Sequence, residues 1–410
     1  MKAHRWVSVT FLISALSVLL LLSGCMPGQV RSLDRNELFS LDIGRGENEI
    51  DLFEVGGGPL NEKTRVYMRD GLVYISNGAA NKVMELTSYG DLLTLWYNPD
   101  TNPRPVMLQS TPTPDTVTNK RAHAYAFTQV GEVAVTSDKT LIAEDLVSDE
   151  RSIFDEELGV SLNRIVLRFA PSGELLDYLG QEGIGGTPFP YIEDIHVTLH
   201  DEIVVTTRTM DSWLVFWYNK GGDPLYNVEI SLDRLPVPEG LELIPQLETI
   251  IPDRETRRLY LKLDYYEESY DEDTGASYGI NKTISRIYWL ELDSGEYQGY
   301  VDIPRNTASV TGSNVFDRET VEYLYQFVGT APGNHLYLLS REEDEQTQLL
   351  IMNTSGRVVK RRNLHIEDDR VVYKTVSVSP TGILTALLGF EERVDLMWWR
   401  SDRLLDTEVE

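Results

Sequence analysis

Few side chains in this 410-residue chain combine type and spacing in a way that supports chemistry. The first is Cys25, the only cysteine, which follows Leu22-Ser23-Gly24. A thiol behind two small residues is open to a peptidase that cuts between Gly24 and Cys25, and to acylation of its sulfur. The second is the pair His196 and His200, spaced to share one face of a helix or a strand. Zinc would want that pair plus a further nitrogen or carboxylate. The competing reading packs His196 beside Ile195 and Val197 and leaves His200 in a turn, and it is the one favoured. His123, His335 and His365 stand isolated and carry no role. The third is Asp271-Glu272-Asp273-Thr274-Gly275, whose alternating oxygens suit calcium. An EF-hand would continue with glycine at its sixth place and glutamate at its twelfth. Here those places hold Ala276 and Lys282. A solvated hairpin tip is the better reading, so Asp271 and Asp273 are weak metal candidates and no other cofactor is expected. There is no glycine-rich phosphate loop and no G-x-S-x-G elbow.

The first 25 residues resemble a bacterial lipoprotein signal. Lys2 and Arg5 give the basic start and residues 6–22 the apolar stretch, shorter than the roughly 20 residues of a spanning helix. The resemblance implies residues 1–24 as signal peptide, Cys25 as a lipidated (palmitate-bearing) N-terminus, and residues 25–37 as a polar tether. It also implies the cell envelope as location. Met26 lacks the Asp that marks inner-membrane retention in enteric bacteria, which favours the outer membrane; whether the protein faces the periplasm or the surface stays open. Stable attachment needs several acyl chains, since each buried methylene is worth only about 0.8 kcal/mol. With Cys25 acylated no thiol remains for a disulfide, a nucleophile or a zinc site. The formal charge of −28 becomes −30 once Lys2 and Arg5 leave with the signal, which holds no acid. So acidic a body repels phosphate backbones, and nucleic acid is excluded as a partner. By the same argument lipid alone holds the protein to its bilayer.

The elements that must position these groups are strands. Stretches of Val, Ile, Leu, Tyr, Phe and Trp are punctuated by Gly, Asn and Asp, and no long amphipathic helix appears. The strands recur as a unit. Its first half is a turn and a short apolar strand, beginning at Asp70, Gly131, Asp201, Arg257, Gly333 and Thr381. Its second half is a strand closed by a glycine or aspartate turn, beginning at Lys82, Arg164, Trp213, Arg286, Leu349 and Val394. Six copies of a four-stranded antiparallel sheet, each unable to bury both faces alone, predict an all-β propeller of six blades over residues 38–410. Seven blades are also compatible with the length. The period exceeds the roughly 40–45 residues of a compact blade, so insertions are expected. A proline-rich loop spans residues 98–119 and an acidic insertion residues 137–160. An acidic, tyrosine-rich loop spans residues 264–283 and carries Tyr265, Tyr266, Tyr270 and Tyr278. Aromatic groups with a polar tip suit recognition surfaces, which makes these tyrosines candidates for partner contact. Trp213, Trp217, Trp289, Trp398 and Trp399 read as core. Ring closure has two candidates, residues 38–43 and the tail 404–410.

Residues 162–208 resemble an NHL-type repeat. Arg164 to Phe169 with Ser172-Gly173-Glu174 match its strand and turn, and Tyr178-Leu179-Gly180-Gln181, Gly185 and Phe189-Pro190 match its link. Residues 72–93 share the shape; the Asp that the family has after its first strand is replaced by Ser76-Asn77 and Thr206-Thr207. The resemblance implies a propeller and no particular activity. The expected role is a cell-envelope binding or scaffolding module for protein partners, and an enzyme is not the first choice. The alternatives are a small-ligand sensor or a metal-dependent hydrolase or lyase of the propeller type. The latter would need residues such as Asn77, Asn81, Asp194 and Asp201 to converge on the channel. Cys25→Ser is expected to abolish palmitate incorporation and to release the chain from the membrane fraction, measured by metabolic labelling and fractionation.

Overall fold

The computed structural model describes residues 30–53, 60–108, 120–270, 277–311, 318–341, 346–366 and 369–405. Among these the regular elements are strands and three short 3-10 turns. The strands form six small antiparallel sheets in a ring, a six-bladed propeller. Cys25 and Gly24, and likewise Asp271 and Asp273, lie outside the described residues.

Blade 1 holds Thr64–Arg69, Leu72–Asn77, Lys82–Thr87 and Leu92–Tyr97, with Arg121–Ala124 added in parallel at its rim. Blade 2 holds Val133–Val135, Leu141–Leu146, Arg164–Phe169 and Leu175–Gly180. Blade 3 holds Tyr191–Val197, Ile203–Arg208, Ser212–Tyr218 and Pro224–Ser231. Blade 4 is Ile244–Pro252, Arg258–Tyr270, Ser277–Glu291 and Glu296–Asp302. Blade 5 is Tyr325–Ala331, His335–Arg341, Gln346–Asn353 and Val358–His365. Blade 6 takes Tyr373–Val378, Leu384–Gly389 and Arg393–Trp399 from one end of the chain and Asn36–Ile43 from the other.

That last pairing closes the ring and decides between the two candidates. Asn36–Ile43 runs antiparallel to Arg393–Trp399, with Leu41 opposite Val394 and Phe39 opposite Leu396. Ser40 Oγ donates to Asp395 Oδ1 at 2.7 Å. Phe39 and Leu41 pack with Val66 and Met68 of blade 1 and Leu387 of blade 6. The closing strand begins two residues before the expected boundary. The tail to Leu404 is a 3-10 turn and takes no place in a sheet.

Consecutive apolar residues occur in these strands because each sheet is covered on both faces. In Ser212–Tyr218, Trp213, Val215 and Trp217 face blade 4, while Leu214, Phe216 and Tyr218 face blade 2. In blade 5, Leu349 and Ile351 face blade 6 and Leu350 and Met352 face blade 4. A period of two sorts one continuous apolar run onto two interfaces. The tryptophans follow suit: Trp213, Trp217 and Trp399 are buried, and Trp289 and Trp398 partly so.

Blade 2 departs from the expected register. The stretch starting at Gly131 supplies the innermost strand, and the second strand is Leu141–Leu146. The acidic insertion at 137–160 therefore conceals a core strand in which Glu144 and Asp145 are buried. Carboxylates inside an apolar run mimicked a surface loop. The insertion proper is the hairpin Ile153–Asp155 with Val160–Leu162. The described residues of 264–283, 264–270 and 277–283, are likewise not a loop. They belong to a long ribbon in which Arg258–Tyr270 and Ser277–Glu291 pair from Arg258↔Glu291 out to Tyr270↔Ser277.

The two ends of the ring differ. At one end the turns within blades are two to five residues long, from Asp70-Gly71 to residues 379–383. Gly173, at φ +94°, sits in one of them; a Cβ there would lie 2.0 Å from His123 Nε2. At the other end, among the described residues, emerge the long connections: residues 98–108, the hairpin of blade 2, the ribbon of blade 4, and the hairpin Asn306–Thr311 with Arg318–Tyr323. Leu41→Ala is expected to cost about 2–4 kcal/mol, seen as a lower urea midpoint, while Tyr89→Ala in an exposed short turn leaves the midpoint in place.

Candidate functional site: an axial channel plugged at one end

The innermost strands of all six blades surround the axis, running from the end with long connections towards the end with short turns. Their inward side chains follow in order along it. In blade 1 these are Arg65, Tyr67 and Arg69; in blade 3, Asp194, His196 and Thr198.

The short-turn end is shut by two guanidinium groups. Arg254 comes from the turn after the first strand of blade 4 and is 4% exposed. Its Nη1 donates to Val197 O of blade 3 at 3.0 Å, its Nη2 to Val378 O of blade 6 at 3.2 Å, and its Nε to Thr330 O of blade 5 at 3.4 Å. Arg69 of blade 1 donates from Nη1 to Val135 O of blade 2 at 2.8 Å and from Nη2 to Asp201 Oδ1 of blade 3 at 3.4 Å. Together the two side chains touch every blade. Asp201 occupies a left-handed turn at φ +59°. It accepts from Ser137 N at 2.7 Å, Ser137 Oγ at 2.5 Å and Lys220 Nζ at 3.0 Å. Burial would raise its carboxyl, but the bonds from Ser137 and Lys220 prevail and hold it below the usual range.

Above the plug lies a cavity of about 240 Å³ lined by Arg65, Tyr67, Glu132, Asp194, His196 and Arg254, with the inner strands of blades 5 and 6. It shares Arg65, Val328, Thr375 and Val376 with a wider space of about 670 Å³. That space opens between blades 5 and 6 on the long-connection side and is also lined by Leu324, Gln326, Arg341 and Lys374. The channel is thus a funnel, wide at one mouth and blocked at the other.

The funnel wall carries a charge network. Lys63 Nζ sits 3.1 Å from Glu132 Oε1 and 2.9 Å from Glu144 Oε2, and donates to Ile192 O at 2.6 Å. Arg65 Nε holds both oxygens of Glu132, at 2.9 and 3.0 Å. Arg164 Nη1 lies 3.3 Å from Glu144 Oε1. Glu144 is wholly buried. It fits because Gly131 leaves room: a Cβ there would stand 2.1 Å from Glu144 Oε2. Burial would lower the Lys63 ammonium, yet Glu132 and Glu144 push it up to about 12. Burial raises the Glu132 carboxyl to about 7 against the pull of Lys63 and Arg65.

Asp194 and His196 face the cavity from blade 3. Protein surrounds Asp194 on every side, yet half of its side-chain surface is open to the cavity. Burial raises its carboxyl above the ordinary carboxylate range. His196 Nε2 stands 3.4 Å from Asp194 Oδ2 and has no hydrogen bond among the described residues. Burial, with Arg254 nearby, lowers the imidazole to about 3, so it is neutral at pH 7.

The candidates read from sequence disperse. His200 lies in a turn, as the packing alternative required, its Nε2 3.2 Å from Glu255 O and far in role from the buried His196. Of the four residues that a metal cage would need, Asp194 alone lines the cavity. Asn77 binds Asp51 O and Thr64 Oγ1, Asn81 accepts from Val130 N, and Asp201 braces the plug. Among the tyrosines, Tyr265 is buried and donates to Pro236 O at 2.6 Å, so it is core rather than contact surface. Tyr266 is half-buried, and Tyr270 is exposed and donates to Glu268. The Tyr278 side chain lies outside the described residues. Sequence reading missed Lys63, Arg65, Glu132, Glu144 and Arg254. The signal for Glu144 was a carboxylate within an apolar run.

No family model matches the sequence, and no curated protein does. Among solved structures the chain is similar to the Dos1 propeller, at 11% identity and TM-score 0.34 over 91% of this chain and 97% of that one. It is also similar to a gluconolactonase from Xanthomonas campestris, at 11% identity and TM-score 0.38, covering 90% and 98%. An ulvan lyase matches at 10% identity and TM-score 0.39, covering 90% and 84%. These likenesses concern the fold alone, and the six-sheet ring stands on its own strand pairing.

The folded value of His196 lies below that of an unfolded histidine, about 6.5, so the unfolded chain takes up its proton first as pH falls. Its contribution to stability is full above pH 6.5 and drains away towards pH 3. Between pH 7 and pH 5 the loss from this group is about 2 kcal/mol. His196→Asn is expected to remove that share of the slope, compared by urea unfolding with the wild type at both pH values.

Proposed function

We propose that this is a lipid-anchored cell-envelope protein whose propeller serves as a binding and scaffolding module for protein partners, engaged through the face with the long connections. One observation carries the reading, the asymmetry of the ring. Among the described residues each extended insertion rises around the open mouth, and the opposite end is short turns over a plug. Loops of that length in a compact fold are costly to retain without use. The same face exposes large apolar side chains: Phe154 at 63%, Met210 at 80%, Tyr270 at 56% and Ile280 at 61%. Beyond Tyr266 the blade 4 ribbon has no neighbouring strand on either side, so its edges are free to pair. Such a surface suits protein contact better than it suits a small substrate.

A second reading, a sensor of small polar ligands, is favoured by the buried, unbonded Nε2 of His196 beside the cavity; it would appear as ligand-dependent melting. For the first reading, a photo-crosslinking residue at Ile280 or Phe154 is expected to give a discrete adduct with another envelope protein in cells. The same residue at Tyr89, on the plugged end and 86% exposed, is expected to give none. Adducts at all three positions, or at none, would sink the assignment of the open face.

A further inference from the structure

Composition argued that charge keeps this acidic protein away from anionic lipid. Its distribution argues otherwise at one edge of the ring. The outer strand of blade 5 and the turn before it carry Arg357, Lys360, Arg361 and Arg362 with no acid among residues 357–365. None of these four forms an ion pair among the described residues; the one side-chain bond is from Arg362 Nη1 to Arg361 O at 2.7 Å. Elsewhere the cations of this chain are mostly matched, as Arg168 is with Asp177 and Arg286 with Asp302.

The N-terminal tether lies against this strand. Asn363 N donates to Arg31 O at 3.1 Å, and Leu33 N to Asn363 O at 2.9 Å. Arg31 and Arg35 add two further cations without an ion pair among the described residues, against Asp34 and Glu37 in the same segment. The pairing of Ser32 with Asn363 is parallel. Val30 and Arg31 therefore run beside Arg361 and Arg362, and the described chain begins on the side of Ser32 nearer the plugged end. Cys25 stands five residues before Val30, at most about 18 Å of extended chain.

We propose that the outer strand of blade 5 and residues 31–35 beside it form a basic strip that seats the plugged edge of the propeller on anionic phospholipid headgroups, turning the open face away from the bilayer. The inference rests on the acylation of Cys25, which supplies the main anchor; the strip supplies a second, electrostatic one and an orientation. The net charge does not forbid this, because at physiological salt a headgroup senses charges within roughly 8 Å and not the far side of the ring.

The test uses the chain from Met26, which holds every described residue and carries no acyl group. It is floated with phosphatidylcholine vesicles that contain or lack phosphatidylglycerol. The expected result is flotation at low salt with phosphatidylglycerol alone, reversed by salt. Arg357→Gln, at an exposed position, and Lys360→Gln, at a half-buried one, are each expected to weaken binding about fivefold, the equivalent of about 1 kcal/mol per cation near the membrane. Arg234→Gln, 83% exposed beside blade 3 on the open side, leaves binding unchanged. Absence of flotation with phosphatidylglycerol overturns the proposal, as does binding that ignores the strip substitutions or falls equally with Arg234→Gln. Palmitate labelling of Cys25 is read separately, so a failed anchor and a failed strip are distinguished.

Discussion

The fold depends on how six sheets are held at a common axis where their backbones cannot all pair with one another. Inner strands of neighbouring blades diverge, and their terminal carbonyls point at the axis with no strand opposite. Arg254 and Arg69 answer that constraint. A guanidinium offers five donors in a fixed plane, and here the donors of the pair are spread over four carbonyls and one carboxylate of separate blades. Burying an unpaired cation costs several kcal/mol, and charge-assisted bonds of about 1.5–3 kcal/mol each offset it. The result is a hub that ties the ring together from inside, complementing the closing strand Asn36–Ile43, which ties it from outside.

A hub at one end leaves the other end open, and the remaining organisation follows from that polarity. Short turns suffice where the plug has already satisfied the backbone. Long connections can grow where nothing closes the axis. The funnel between these ends is lined by charges, Lys63 and Arg65 against Glu132 and Glu144. Such a network is tolerable in the interior because each member has several partners. Asp194 and His196 stand apart from it: one carboxylate faces open space, and one imidazole is held neutral beside it. The channel is therefore built around fixed charges, with its adaptable surface outside, on the ribbons.

The six-fold repeat and the all-strand composition were legible in the sequence, whereas the closing strand was one of two candidates until its pairing with Arg393–Trp399 chose it. The turn at His200 was legible too, whereas His196 faces the cavity rather than the core that takes Ile195 and Val197. Legibility failed where charge and burial coincide. Leu141–Leu146 carries Glu144 and Asp145 inside a core strand, and polarity disguised it as an insertion. The ribbon of blade 4 was hidden for the reverse reason. Tyr265-Tyr266 and Glu267-Glu268 stand in adjacent pairs, so no alternation of period two and no apolar face marks the part that leaves the blade.

What the sequence by itself determined is local: turns where glycine or aspartate takes a left-handed backbone, and strands where apolar runs leave no polar face. Only the tertiary structure decided which charges share the axis. Lys63, Glu132, Glu144 and Arg164 come from separate strands, and Arg254 meets carbonyls more than fifty residues away in either direction. Such contacts are set by how blades rotate about one another, and a chain read residue by residue carries no record of that rotation.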